Sequence, residues 1–141
     1  MNFILYKHST LLIFCILSLS AQAQYTITGY FPPLAGQQIR LAGFEGFGIY
    51  TIDSTTAREK GHFALSYTSK DRGMGYLAAK DNKAYYVVLA NEDIQLKGEV
   101  LSAPESIVCL AGKENQLFVQ YAVEHPKRQQ ALSAWDYLIK G

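Results

Sequence analysis

The sequence predicts a mainly β domain, an antiparallel sandwich or barrel of about eight strands, followed by a C-terminal helical segment. Three observations lead there. Apolar and polar residues alternate with a period of two from residue 24 to about residue 111. Turn-forming residues break that alternation at intervals of roughly 8–12 residues, the spacing of sandwich and barrel strands. After Gly112 the apolar period becomes that of a helix. Strands and helices do not alternate along the chain, which argues against a parallel α/β sheet.

The strands follow in order. Tyr25, Ile27 and Gly29 alternate with Thr26, Thr28 and Tyr30 before Pro32-Pro33 and Gly36 punctuate the chain. Gln38-Ile39-Arg40-Leu41 is a second short strand. Ile49 to Thr55 is a third, rich in β-branched residues. Glu59-Lys60-Gly61 turns the chain into His62–Tyr67. A polar, glycine-containing loop is expected from Ser69 to Gly75, then a strand from Tyr76 to Lys80 and a tight turn at Asp81-Asn82. Ala84–Leu89 follows. Asn91-Glu92-Asp93 turns into Ile94–Gly98, and Glu105–Leu110 is the last expected strand. The ten tyrosines of the chain fall mostly on strand positions, where half-buried sheet faces keep hydroxyls at the rim. A carbohydrate-binding surface is the other reading of the same residues.

Beyond Gly112, Leu117, Phe118, Tyr121 and Ala122 lie at helical spacing, as do Ala131, Leu132, Trp135, Leu138 and Ile139. Pro126 falls between the two sets. Proline fits the first turn of a helix and breaks its interior. The expectation is therefore two helices, 113–124 and 126–140, meeting at His125-Pro126. A helix docked on its own sandwich and a helix leading into a further domain both fit this pattern.

Residues 1–23 read as a secretory signal peptide. Lys7 precedes an apolar run of nine residues, Leu11 to Leu19. That run is short of the about 20 needed to span a bilayer and suits a signal peptide. Ala21-Gln22-Ala23 supplies the small-x-small pattern of a cleavage site, with Gln24 as the new N-terminus. An uncleaved anchor is the alternative. Cys15, inside the apolar run, is filler rather than a lipid-bearing residue. The expected organisation is thus signal peptide 1–23, β domain 24–112 and helical tail 113–141, with export to the periplasm or cell envelope and no stable membrane span after cleavage.

Lys7 is the one basic residue of that leader, and all 12 acidic residues lie after it. Residues 24–141 are therefore electrically neutral with histidine uncharged. Neutrality without a Lys/Arg cluster argues against nucleic acid and anionic membrane surfaces as partners. Cys109 is the lone remaining cysteine, so no internal disulfide, redox pair or zinc spacing is available. In the apolar stretch Ile107-Val108-Cys109-Leu110 it reads as a small buried hydrophobe.

Chemistry is sparse. His62 and His125 have no second ligand at short spacing, so no metal site is expected. Asp53, Ser54 and His62 compose a nominal triad, but no nucleophile elbow surrounds Ser54. Asn91-Glu92-Asp93 falls short of the six to eight oxygens calcium takes. Gly43-Phe44-Glu45-Gly46-Phe47-Gly48 lacks the Lys and Ser/Thr of a phosphate loop. It reads as a flexible hairpin loop exposing Phe44 and Phe47, or folding them over the end of the sandwich. No catalytic, cofactor-binding or metal-ligating residue is expected. Phe44, Phe47 and Trp135 are the candidate partner contacts.

Several short motifs follow one another in a fixed order: Tyr25-Thr26-Ile27-Thr28-Gly29, Gln38-Ile39-Arg40-Leu41, Ile52-Asp53-Ser54-Thr55, Gly61-His62-Phe63, Leu89–Ile94 and Gly112-Lys113-Glu114-Asn115. Their order and spacing resemble the DUF4369 family, the N-terminal domain of exported thioredoxin-like (redoxin, AhpC/TSA-type) proteins of Bacteroidetes. In the last of these motifs, Lys113 stands where the family usually has Ser. The resemblance implies a periplasm-facing, redox-linked context. In that family a thioredoxin-fold domain follows and carries the Cys-x-x-Cys. This chain lacks those residues, so the resemblance implies a non-catalytic accessory role. The implied partner is a thioredoxin-like domain or another protein, and a homodimer is a further arrangement.

Overall fold

The computed structural model describes residues 22–80 and 84–140. The body of the expected signal peptide, with Cys15 and Ala21, and the Asp81-Asn82 turn lie outside the described residues. Of the expected cleavage site, Ala23 precedes the first strand and Gln24 begins it.

Eight strands form two packed sheets. They are β1 (Gln24–Tyr30), β2 (Gln38–Glu45), β3 (Gly48–Thr56), β4 (His62–Thr68), β5 (Gly73–Ala78), β6 (Ala84–Leu89), β7 (Ile94–Lys97) and β8 (Val108–Ala111). One sheet has the order β4-β1-β7-β8 and the other β3-β2-β5-β6. The period-two pattern is realised directly: Ile27, Ile39, Leu41, Leu65, Tyr67, Leu77, Val87, Leu89, Ile94 and Leu96 point between the sheets and are buried. Phe31 fills one end of that core, in ring contact with Phe63 at 5.8 Å between centroids.

The sheets are not wholly antiparallel. β1 pairs antiparallel with β4 but parallel with β7, with Ile27 opposite Ile94 and Gly29 opposite Leu96. Five strands and four changes of sheet separate β1 from β7 along the chain, so it has length enough to return in the same direction.

Three boundaries correct the sequence expectation. β2 runs through the expected 43–48 loop, because Gly43 has ladder partners on both sides, Tyr50 in β3 and Gly75 in β5. Only Gly46-Phe47 remains as the turn, with Gly46 at φ +59°. β5 starts at Gly73 rather than Tyr76, since its first residues pair with Leu89 and Val88 of β6. The preceding loop is compressed into a short 3-10 turn, Ser69–Asp71. Asp71 closes it by accepting from the Thr68 N–H at 3.0 Å. β8 starts at Val108, because Pro104–Ser106 forms another 3-10 turn in which the Ser106 hydroxyl donates to the Ala103 carbonyl at 2.8 Å.

The expected pair of helices is one helix, α1 (Lys113–Lys140), with Pro126 in its interior. Proline removes one helical hydrogen bond there. The Ala122 carbonyl that loses its partner is on an exposed stretch, where water can satisfy it. Side-chain pairs bracket the proline: Gln120 donates to Glu124 at 3.1 Å, and Arg128 donates to Glu124 at 2.9 Å. Among the described residues no helix is long and apolar enough to cross a membrane.

Candidate functional site

The residues singled out as partner contacts are all exposed, but they do not converge. Phe47 is fully exposed at the tip of the β2–β3 turn and Phe44 is 45% exposed just before it. Phe44 does not fold over the end of the sandwich. It lies on the outer face of its sheet, 5.7 Å from the ring of Tyr76, which in turn meets Tyr86 edge-on at 6.3 Å. Arg40 completes this row. Its guanidinium lies 5.8 Å from the Tyr76 ring centre and donates to the Tyr76 hydroxyl at 3.0 Å. Ile49 of β3 and Met74 of β5 add exposed apolar surface in the same sheet. Alternation along β2, β5 and β6 places Arg40, Phe44, Tyr76 and Tyr86 on one face, across strands that are distant in sequence.

Trp135 lies elsewhere, 62% exposed on α1. From Gln120 onward almost every residue of that helix is exposed, including Leu132, Leu138 and Ile139. The distal helix is therefore not docked on the sandwich, and its apolar stripe has no partner within the described residues.

The proximal helix is fixed by two side chains. Glu92 accepts from the Lys113 N–H at 3.0 Å and from the Glu114 N–H at 2.9 Å, capping the helix with a carboxylate. Glu92 is itself held by Tyr67, whose buried hydroxyl donates to the Glu92 carbonyl at 2.5 Å and accepts from the Glu92 N–H at 2.9 Å. Burial pushes the Tyr67 phenol above its ordinary range. One turn into the helix, Asn115 is buried, and its carboxamide bonds both backbone groups of Val88 in β6. In the sequence Asn115 and Glu92 are legible only as members of short motifs, and what they hold is not. The signal was a polar residue in the first turn of a helix adjoining an edge strand.

Between β6 and α1 lies a groove of about 380 Å³. Ala84, Tyr85 and Tyr86 form one wall, Phe118, Val119, Ala122 and Val123 the other, and Pro104 and Glu105 close an end. Tyr85 is buried at its base, and burial pushes its phenol up to about 12.

The remaining polar candidates have structural duties. Asp53 accepts from the Ser54 N–H at 2.8 Å and from the Ser66 N–H at 2.9 Å, tying β3 to β4 across the sheets. His62 packs against Tyr30 with the two rings tilted, 4.4 Å between centres. It borders a depression lined by Thr28, Thr55, Thr56 and Arg58, with no carboxylate in the lining. The nominal triad is therefore not assembled as a relay. Asp93 accepts from the Thr26 N–H at 2.9 Å, and Asn91 takes φ +57°, so Asn91-Glu92-Asp93 is a turn whose carboxylates are committed to backbone N–H groups. Cys109 is half-buried against the core, its thiol donating to the Ala111 carbonyl at 3.2 Å. Burial raises its pKa, which disfavours the thiolate a nucleophile requires. Among the described residues no group of His, Cys, Asp or Glu is placed to hold a metal ion.

The matching family model is that of a domain of unknown function, DUF4369, over residues 25–118. That span covers the whole sandwich and the first turns of α1. No curated protein matches the sequence.

Proposed function

Because the chain belongs to the DUF4369 family, we propose that it is a non-catalytic accessory domain of a cell-envelope thioredoxin-like thiol–disulfide protein. It is exported, and it acts by positioning or dimerising the redox domain. The observation that carries this reading is the undocked distal helix. Leu132, Trp135, Leu138 and Ile139 are each at least 60% exposed along one stripe. A contiguous exposed apolar stripe marks an interaction site, and a helix without tertiary packing is only marginally stable in water. A partner that covers the stripe resolves both. Cys109, the one cysteine among the described residues, has a thiol whose pKa is raised by burial, which supports an accessory role over a redox one.

The test is site-specific photocrosslinking from position 135 in living cells, with the captured protein identified by mass spectrometry. A thioredoxin-fold protein carrying Cys-x-x-Cys, or a second copy of this chain, is the expected product. Crosslinking to neither overturns the reading. The chain alone should also fail to catalyse insulin reduction.

A second reading, a stand-alone envelope module binding a glycan or peptide, is favoured by the Phe44, Tyr76 and Tyr86 row with fully exposed Phe47 beside it. Saturable binding of a glycan or peptide that is lost in Phe44→Ala/Phe47→Ala would support it.

A further inference from the structure

We propose that the groove between β6 and α1 takes an extended polypeptide segment of a partner protein, which adds to the sheet as a strand beside β6. β6 is an edge strand, with β5 on one side only. In an antiparallel pair, successive residues point their N–H and C=O alternately toward and away from the neighbour. Val88 sends both groups outward, because both bond to Asn115 at 2.8 Å. Tyr86 and Ala84, two and four residues earlier in the same register with β5, therefore send theirs the same way. Both residues line the groove, and among the described residues no other backbone group bonds these two rungs, about 7 Å apart.

Asn115 shows what that edge accepts. Its side-chain amide offers one acceptor and one donor, the pattern of a backbone peptide group, and it occupies the first rung. A second strand would continue on the next two. The facing wall of Phe118, Val119, Ala122 and Val123 is apolar and would cover alternate side chains of the incoming segment. Open backbone rungs fix the class of occupant: an apolar small molecule or a docked helix would leave them unpaired, whereas an extended backbone satisfies them. The inference rests on the accessory reading only in taking a protein as the partner class.

The probe is a seven-residue peptide, acetylated and amidated at its ends, alternating valine and threonine with a lysine at each terminus. It is titrated into the ¹⁵N-labelled chain while amide exchange is followed. The expected result is slowed exchange at Tyr86 and Ala84 with no change at Val87, whose N–H faces β5. N-methylation of alternate peptide amides should weaken binding at least tenfold, and Tyr86→Pro should do the same. Proline at 86 removes an outward donor and spares the ladder to β5. Equal binding of the methylated peptide, or no protection at Tyr86, overturns the proposal. So does concentration-dependent protection of Tyr86 without peptide, which would make a second copy the occupant. The methylated peptide keeps the test decisive if Tyr86→Pro does not fold. Failure here leaves crosslinking at position 135 untouched, so the two readings fail separately.

Discussion

Asn115 closes the β6 edge at Val88: its Oδ1 accepts the Val88 N–H and its Nδ2 donates to the Val88 C=O, each at 2.8 Å. With 3% exposure, this carboxamide couples the first turn of α1 to the sheet and does the work of one residue of a missing strand. Asn115→Ala should leave both Val88 groups without a partner in a part-buried place, at a cost of about 1–3 kcal/mol. The urea midpoint should fall with an unchanged slope. Exchange at the Val88 amide should accelerate more than exchange at its neighbours. Asn115→Asp keeps the acceptor and loses the donor, so it should not restore stability.

The sandwich was legible because many core positions alternate with polar ones inside a single strand. Ile27, Ile39 and Leu96, each flanked by polar residues, announce their faces locally. What pairs with what was not legible. Nothing near Gly29 indicates that Leu96 lies beside it in parallel, and nothing near Tyr76 places Phe44 and Tyr86 against it. Local rules also failed at Gly43 and Pro126. At Gly43, two neighbouring strands override a glycine's preference for loops; at Pro126, solvent supplies the partner that a buried helix would have lacked. For Phe44, Phe47 and Trp135 the sequence left exposure and packing on the sandwich both open, and all three lie at the surface; the outward rungs of β6 are backbone groups and have no side-chain signature.

Gly61 sits where only glycine fits. Its φ is +88°, and a Cβ there would lie 2.1 Å from the Phe31 carbonyl oxygen. Its own carbonyl accepts the Phe31 N–H at 2.9 Å, so relaxing the turn would disturb fully buried Phe31. Gly36 has a similar φ of +77° but open space around it. Gly36→Ala should therefore cost about 1 kcal/mol from backbone strain alone. Gly61→Ala should cost clearly more, read as a larger drop in melting temperature. Equal drops would show that the Phe31 contact carries no energetic weight.

Glu92 joins three elements, since Tyr67 grips its backbone and its carboxylate caps α1. Glu92→Ala should cost about 0.5–2 kcal/mol, the usual value of a lost N-terminal cap. Exchange should accelerate at the Lys113 and Glu114 amides. Glu92→Gln keeps one acceptor without the charge and should fall between the two. If the first turn of α1 keeps its protection in Glu92→Ala, the cap is not what fixes the helix start.

Tyr85 gives the domain a specific alkaline weakness. Burial, with the nearby Cys109 thiolate adding to it, pushes its phenol from 10 to about 12. Below pH 10 the phenol is protonated in both the folded and the unfolded chain, and stability is unaffected. Between pH 10 and 12 the unfolded chain releases this proton while the native fold retains it, so stability falls as pH rises. Tyr67 and Tyr50, both raised by burial, act in the same sense. Absorbance titration of the native protein should show phenols ionising late, and Tyr85→Phe should remove the latest of them. The same variant should lose less stability between pH 8 and pH 11 than the unaltered chain, measured by urea denaturation at each pH. If the latest component persists in Tyr85→Phe, it belongs to another tyrosine, and burial does not hold the Tyr85 proton.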